Sequence, residues 1–207
     1  MVRLTIRDCS AEALEVAADV DELFLWNVRF PTFPAIPVTV RSLYMDSCTI
    51  ADGSPMVLHE GLETLRIGFQ TCLPTSFPSS IRALFLRKIR IETLPALPEG
   101  LQRANFLRLQ TRNPVVLPAS LEVLSLDECT LSVFPAFPAN LRKLMVRECY
   151  GRTLPSFPAN LQELFLSDLT LDYLPPIPPT CVMYETMDVE AEQRGGVHRL
   201  AEDNIVG

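Results

Sequence analysis

Proline spacing constrains this chain more tightly than any other feature. Leu94-Pro95-Ala96-Leu97-Pro98, Phe134-Pro135-Ala136-Phe137-Pro138, Leu154-Pro155-Ser156-Phe157-Pro158 and Leu174-Pro175-Pro176-Ile177-Pro178 are variants of one phrase. Between them stands a second phrase, apolar-x-x-apolar-x-apolar-x-x-apolar. It reads Leu121, Leu124, Leu126, Cys129, then Leu141, Leu144, Val146, Cys149, then Leu161, Leu164, Leu166, Leu169. The same phrase opens at Val20, Val40, Leu62, Ile81 and Leu101, with weaker copies at Met1 and Cys181. Successive openings are 19, 20, 22, 19, 20, 20, 20, 20 and 20 residues apart.

A period of this length, carrying L-x-x-L-x-L-x-x-N/C-x-L, is the pattern of a leucine-rich repeat. Its core, such as Leu124-Ser125-Leu126, alternates with period two and predicts a short strand with every second side chain buried. One strand per copy, stacked in order, gives a long parallel sheet on a concave face. The prolines hold φ near the polyproline II value and forbid helix, so the chain returns on the convex face in extended segments. The 18 prolines against 8 glycines agree with little helix and no flexible linker. The expected fold is a leucine-rich-repeat solenoid over 1–189, about ten copies that stand only by stacking on one another. Residues 190–207 form an acidic polar tail, either a cap on the last turn or unstructured.

The phrase Leu94-Pro95-Ala96-Leu97-Pro98 leading into Leu101 resembles the short bacterial repeat class of IpaH- and YopM-type secreted effectors. The resemblance implies recognition of a host protein by the repeat domain, with action in the cytosol, or in a host-cell cytosol after secretion. It also implies an alternative, the substrate-recognition part of a ubiquitin ligase. Only the 18 residues 190–207 lie beyond Val189 in this sequence, too few for a ligase domain, and the first strand-like copy is expected to open at Met1; the expectation is either a minimal repeat protein or a fragment of a longer one. The family usually places Asn at the ninth position. Here that column reads Cys9, Val28, Cys48, Gln70, Ile89, Leu109, Cys129, Cys149, Leu169 and Val189. Each missing amide ladder bond forfeits about 0.5–1.5 kcal/mol, partly offset by apolar burial.

Other chemistry finds little support. The net charge of −7, four units of it in the last 23 residues, offers no generic attraction to nucleic acid or anionic lipid. No apolar run reaches bilayer-spanning length, and the N-terminus carries no secretory pattern. Six cysteines in such a chain predict reduced thiols facing inward, with Cys129 and Cys149 stacked in adjacent turns. Neither CxxC-like pairs nor converging histidines point to a metal, and His59 and His198 have no nucleophile placed beside them. The expectation is a monomeric, non-enzymatic interaction module without cofactor, metal, membrane, nucleic acid or small-molecule substrate.

Positions 2, 3, 5, 7 and 8 of each copy point away from the core. This puts Phe24, Trp26, Tyr44, Phe69 and Phe85 exposed on neighbouring strands, with Arg66, Arg87, Lys88 and Arg108 among or beside them. Aromatic rings with arginines are enriched in interface hot spots. Those nine residues are the candidate partner-binding set. A second reading is that they support each other, Arg66 lying between Tyr44 and Phe85 as a cation–π ladder. Further along, Glu122, Asp127 and Glu128 face Arg142, Lys143 and Arg147 and are expected to form internal pairs.

Overall fold

A computed structural model describes residues 2–10, 19–69, 73–193 and 196–199, with side chains described as far as residue 191. All regular structure among them is β. The strands are β1 (Arg3–Ser10), β2 (Glu22–Phe30), β3 (Ser42–Asp46), β4 (Thr49–Ile50), β5 (Thr64–Gly68), β6 (Ala83–Arg87) and β7 (Arg90–Ile91). They continue as β8 (Arg103–Leu107), β9 (Gln110–Thr111), β10 (Val123–Asp127), β11 (Lys143–Arg147), β12 (Glu163–Leu171), β13 (Met183–Gln193) and β14 (Gly196–Arg199). No described helix is long and apolar enough to cross a membrane.

The chain divides into two compact units, the first made of 1–89 and 95–101, the second of 90–94 and 102–207. In the first unit β1, β2, β3, β5 and β6 pair in parallel, each on the next. In the second unit β8, β10, β11, β12 and β13 do the same, and β14 turns back antiparallel on β13, Gln193 opposite Gly196. The register follows the repeat. Leu4 pairs with Leu23, Leu23 with Leu43, Leu43 with Leu65 across the 22-residue copy, and Leu65 with Leu84.

The apolar columns are the core of both units. Leu23, Leu43, Leu65 and Leu84 are fully buried at the fourth position, as are Leu124, Leu144 and Leu164. Burying a leucine completely contributes about 1.5–3 kcal/mol, so these columns are the main source of cohesion. On the opposite wall the proline phrase inserts Ile36, Phe77, Leu97, Val115, Phe134, Leu154 and Phe157. Its last proline closes a tight turn, its carbonyl accepting from the N–H of the opening residue three positions on: Pro98 from Leu101, Pro138 from Leu141 and Pro178 from Cys181.

One regularity has no counterpart in the apolar pattern. Every eighth-position residue has a left-handed backbone, with φ between 46° and 55°: Asp8, Asn27, Ser47, Phe69, Lys88, Arg108, Glu128, Glu148, Asp168 and Asp188. Strict alternation after the buried fourth and sixth positions would turn the eighth inward. The left-handed residue turns a corner there, and the ninth faces the core instead.

The ninth column is buried at Val28, Cys48, Ile89, Leu109, Cys129, Cys149, Leu169 and Val189. Its thiols recover part of the missing amide ladder. Cys129 Sγ donates to the carbonyl of Phe106 at 3.1 Å, and Cys149 Sγ to that of Arg147 at 3.3 Å. A further ladder stands just before the opening residue: Asn140 Nδ2 donates to Ala119 O, Asn160 Nδ2 to Ala139 O and Thr180 Oγ1 to Ala159 O, at 2.8, 3.2 and 2.6 Å. Cys9 differs from the expected inward thiols, being exposed on β1, and Cys72 and Gln70 lie outside the described residues.

Candidate partner-binding face

Parallel pairing places residues of one column side by side on the strand face. In the fifth column of the first unit this builds a continuous stack. The Phe24 and Tyr44 rings lie face to face, centroids 4.1 Å apart and 2° from parallel. Arg3 caps the Phe24 ring at 4.9 Å. Arg66 continues the row, its guanidinium carbon 5.5 Å from the Tyr44 ring and 4.5 Å from that of Phe85. Phe24, Tyr44 and Phe85 are therefore half-buried, where the outward register predicts exposed rings. The rings shield one another, and the mutual-support arrangement is realised. Arg3 is missing from the sequence-derived set; the register places it opposite Glu22, two positions before the residue opposite Phe24, and only its long side chain brings it onto the ring.

Beside this stack two aromatic residues stay open. Trp26 in the seventh column is 52% exposed, and Phe69 in the eighth is 39% exposed. Phe69 carries two cations on its ring, Arg87 at 5.0 Å and Lys88 Nζ at 4.1 Å. Gly68 leaves the seventh column without a side chain between Asp46 and Arg87, and Asp46 leans into the space: a Cβ on Gly68 would meet its carboxylate. Asp46 Oδ1 accepts from Ser47 Oγ at 2.8 Å, while Arg87 turns to Phe69.

The strand face of the second unit is organised by ion pairs. Arg108 grips Glu128 with two donors, Nε at 2.7 Å and Nη2 at 2.8 Å. That hydrogen-bonded carboxylate raises the Arg108 pKa above its ordinary value. Arg147 lies 2.8 Å from Glu148 and 3.8 Å from Asp127, and Lys143 pairs with Glu163. Burial raises the Asp127 carboxyl above the usual range, with Arg147 opposing it. Of the expected pairs, Asp127 with Arg147 forms. Glu128 turns instead to Arg108, and Lys143 to Glu163. The candidate set is thus divided: Phe24, Trp26, Tyr44, Arg66, Phe69, Phe85, Arg87 and Lys88 belong to the first unit and Arg108 to the second.

No protein-family model and no curated protein sequence matches the chain. Among solved structures it is similar to YopM from Yersinia enterocolitica WA-314, with a TM-score of 0.67 and 22% sequence identity. The likeness covers 87% of this chain. This chain is a leucine-rich-repeat solenoid. The solenoid spans 45% of the length of that YopM chain, and at this identity the likeness is one of fold.

Elsewhere the described cysteines other than the exposed Cys9 are buried. The hydrogen bond to Cys129, together with burial, pushes the Cys149 thiol far above its ordinary range, and burial raises Cys181. Five cysteines among the described residues are free thiols. His59 is half-buried, its Nδ1 3.2 Å from the Glu60 carbonyl, in the irregular 22-residue copy. Among the described residues no three of His, Cys, Asp and Glu gather as a metal-binding group.

Proposed function

We propose that this solenoid is a non-enzymatic interaction module that holds a partner protein on the strand face of its first unit, around Trp26, Phe69, Arg87 and Lys88. One observation carries the reading. Next to a row of rings that immobilise each other, Trp26 and Phe69 remain exposed, with cations fixed beside Phe69. Tryptophan and arginine dominate binding hot spots, and a preordered side chain loses little entropy on docking. Phe24, Tyr44, Arg66 and Phe85 then serve as the rigid floor. Arg108, held by Glu128, belongs to a separate surface feature.

The repeat's resemblance to secreted effectors, together with the likeness of fold to YopM, supports a host-cell cytosol as the place of action and a host protein as partner. The module acts as a monomer with no small molecule. Affinity capture tests the reading with three forms of the chain: unaltered, Trp26→Ser with Phe69→Ser, and Val38→Ser with Val116→Ser. The last pair lies in the proline-rich segments, 77% and 81% exposed. A partner retained by the first and third forms and lost from the second is expected. A partner retained equally by all three contradicts the assignment.

A further inference from the structure

We propose that the segment bound by this face is an acidic stretch of the partner protein, lying against Arg66, Arg87 and Lys88 beside Trp26. The proposal rests on the strand-face reading above and adds the chemistry of the partner. It comes from a difference in how the cations of the fifth, seventh and eighth columns are satisfied. In the second unit both such arginines have carboxylates of their own, Arg108 on Glu128 and Arg147 on Glu148 and Asp127.

In the first unit these columns hold four cations, Arg7, Arg66, Arg87 and Lys88, and none of them takes part in an ion pair among the described residues. Arg7 stands opposite Trp26. The other three are held by aromatic rings: Arg66 by Tyr44 and Phe85, Arg87 and Lys88 by Phe69. A ring face fixes a cation in place without neutralising it. Arg87 and Asp46 share the seventh column with Gly68 between them, and no ion pair joins them among the described residues.

Docking removes water from whatever it covers. A neutral partner would leave three cations desolvated and unpaired, which opposes binding. Carboxylates on the partner supply the missing acceptors, and arginine offers them paired, directional donors. The preset positions of the cations reduce the ordering needed at contact. A nucleic acid fits less well. Among the described residues the cations of the patch without an ion pair are interrupted by Asp46 and accompanied by the Arg41–Glu63 and Arg3–Glu22 pairs of the same unit, a mixed-sign surface poorly suited to a run of phosphates.

Fluorescence anisotropy with the full chain tests this, using labelled (Glu-Val)4 and (Gln-Val)4 peptides and an eight-nucleotide oligo-dT. The Glu peptide is expected to bind at least about tenfold more tightly than the Gln peptide, and to weaken as salt rises from about 50 to about 200 mM. Arg87→Gln with Lys88→Gln should reduce that affinity about tenfold, whereas Arg142→Gln, at an exposed cation of the second unit without an ion pair among the described residues, should leave it unchanged.

Equal binding of the two peptides, an equal loss with Arg142→Gln, or tighter oligo-dT binding with the same dependence on Arg87 and Lys88 overturns the proposal. Its failure is separable from that of the strand-face reading. If the captured partner is lost from the Trp26→Ser, Phe69→Ser form but held fully by the Arg87→Gln, Lys88→Gln form, the face stands and the acidic partner falls.

Discussion

The guanidinium carbon of Arg66 lies 4.5 Å from the centre of the Phe85 ring, on the strand next to its own. The contact joins a charged residue to a row of rings that would otherwise end at Tyr44, and it makes the fifth column a structural element. A double-mutant cycle with Arg66→Ala and Phe85→Ala should give a coupling of about 0.5–1 kcal/mol in urea unfolding. A coupling near zero would mean that the stack leaves the face unordered. For the same reason Phe85→Ala is a poor probe of binding, since it disturbs the floor as well as the surface.

The left-handed eighth column makes a prediction that runs against strand propensity. Valine normally exceeds glycine in a strand. At Lys88, with φ 53°, the order should reverse. Lys88→Gly is expected to be more stable than Lys88→Val by about 1–2 kcal/mol, the energy that separates a side-chain-bearing residue from glycine in this region. Chemical denaturation of the two variants measures it, and a more stable valine variant would contradict the corner geometry.

Glu60 ties the irregular copy to the next turn. Its carboxylate accepts from the Ser79 N–H at 3.2 Å and the Ser79 hydroxyl at 2.9 Å, and these bonds hold its pKa below the ordinary 4.5. A carboxyl whose pKa falls on folding contributes its stabilisation in full above its unfolded pKa. That contribution is lost as pH drops through the folded one. Glu60→Gln should therefore be less stable than the parent at pH 7, the gap closing as the pH falls below 4.5. Paired unfolding curves at neutral and acid pH check the sign; a gap that widens on acidification would contradict it.

The repeat made the fold readable because its signal is geometric. The fully buried Leu23, Leu43, Leu65 and Leu84 announce both the strand and its register, even across the copy with two extra residues. The corner at the eighth position was only partly legible. Asp8, Asn27, Asp168 and Asp188 are of types that adopt a left-handed backbone, but Phe69, Lys88 and Arg108 in the same column are not, and there the stacked fold imposes it. The polar ladder of Asn140, Asn160 and Thr180 was silent, because residues before a strand also read as ordinary turn formers.

At the candidate face the residues were legible and their exposure was not. Register alone sends Phe24 and Trp26 to the same side. Whether a ring is covered depends on its neighbours in the column, Tyr44 for Phe24 and the much shorter Asp46 for Trp26. Arg66, Arg87 and Lys88 could be placed near aromatics from the sequence. That they lack carboxylate partners among the described residues, while Arg108 has one, appeared only with side-chain positions.

Site-specific photocrosslinking tests partner binding on the strand face most directly. A benzophenone amino acid is placed at Trp26 in one form of the chain and at Val116, on the proline-rich side, in another. The partner retained by affinity capture should crosslink through position 26 and not through position 116. Crosslinking through position 116 alone, with position 26 silent, would contradict the account.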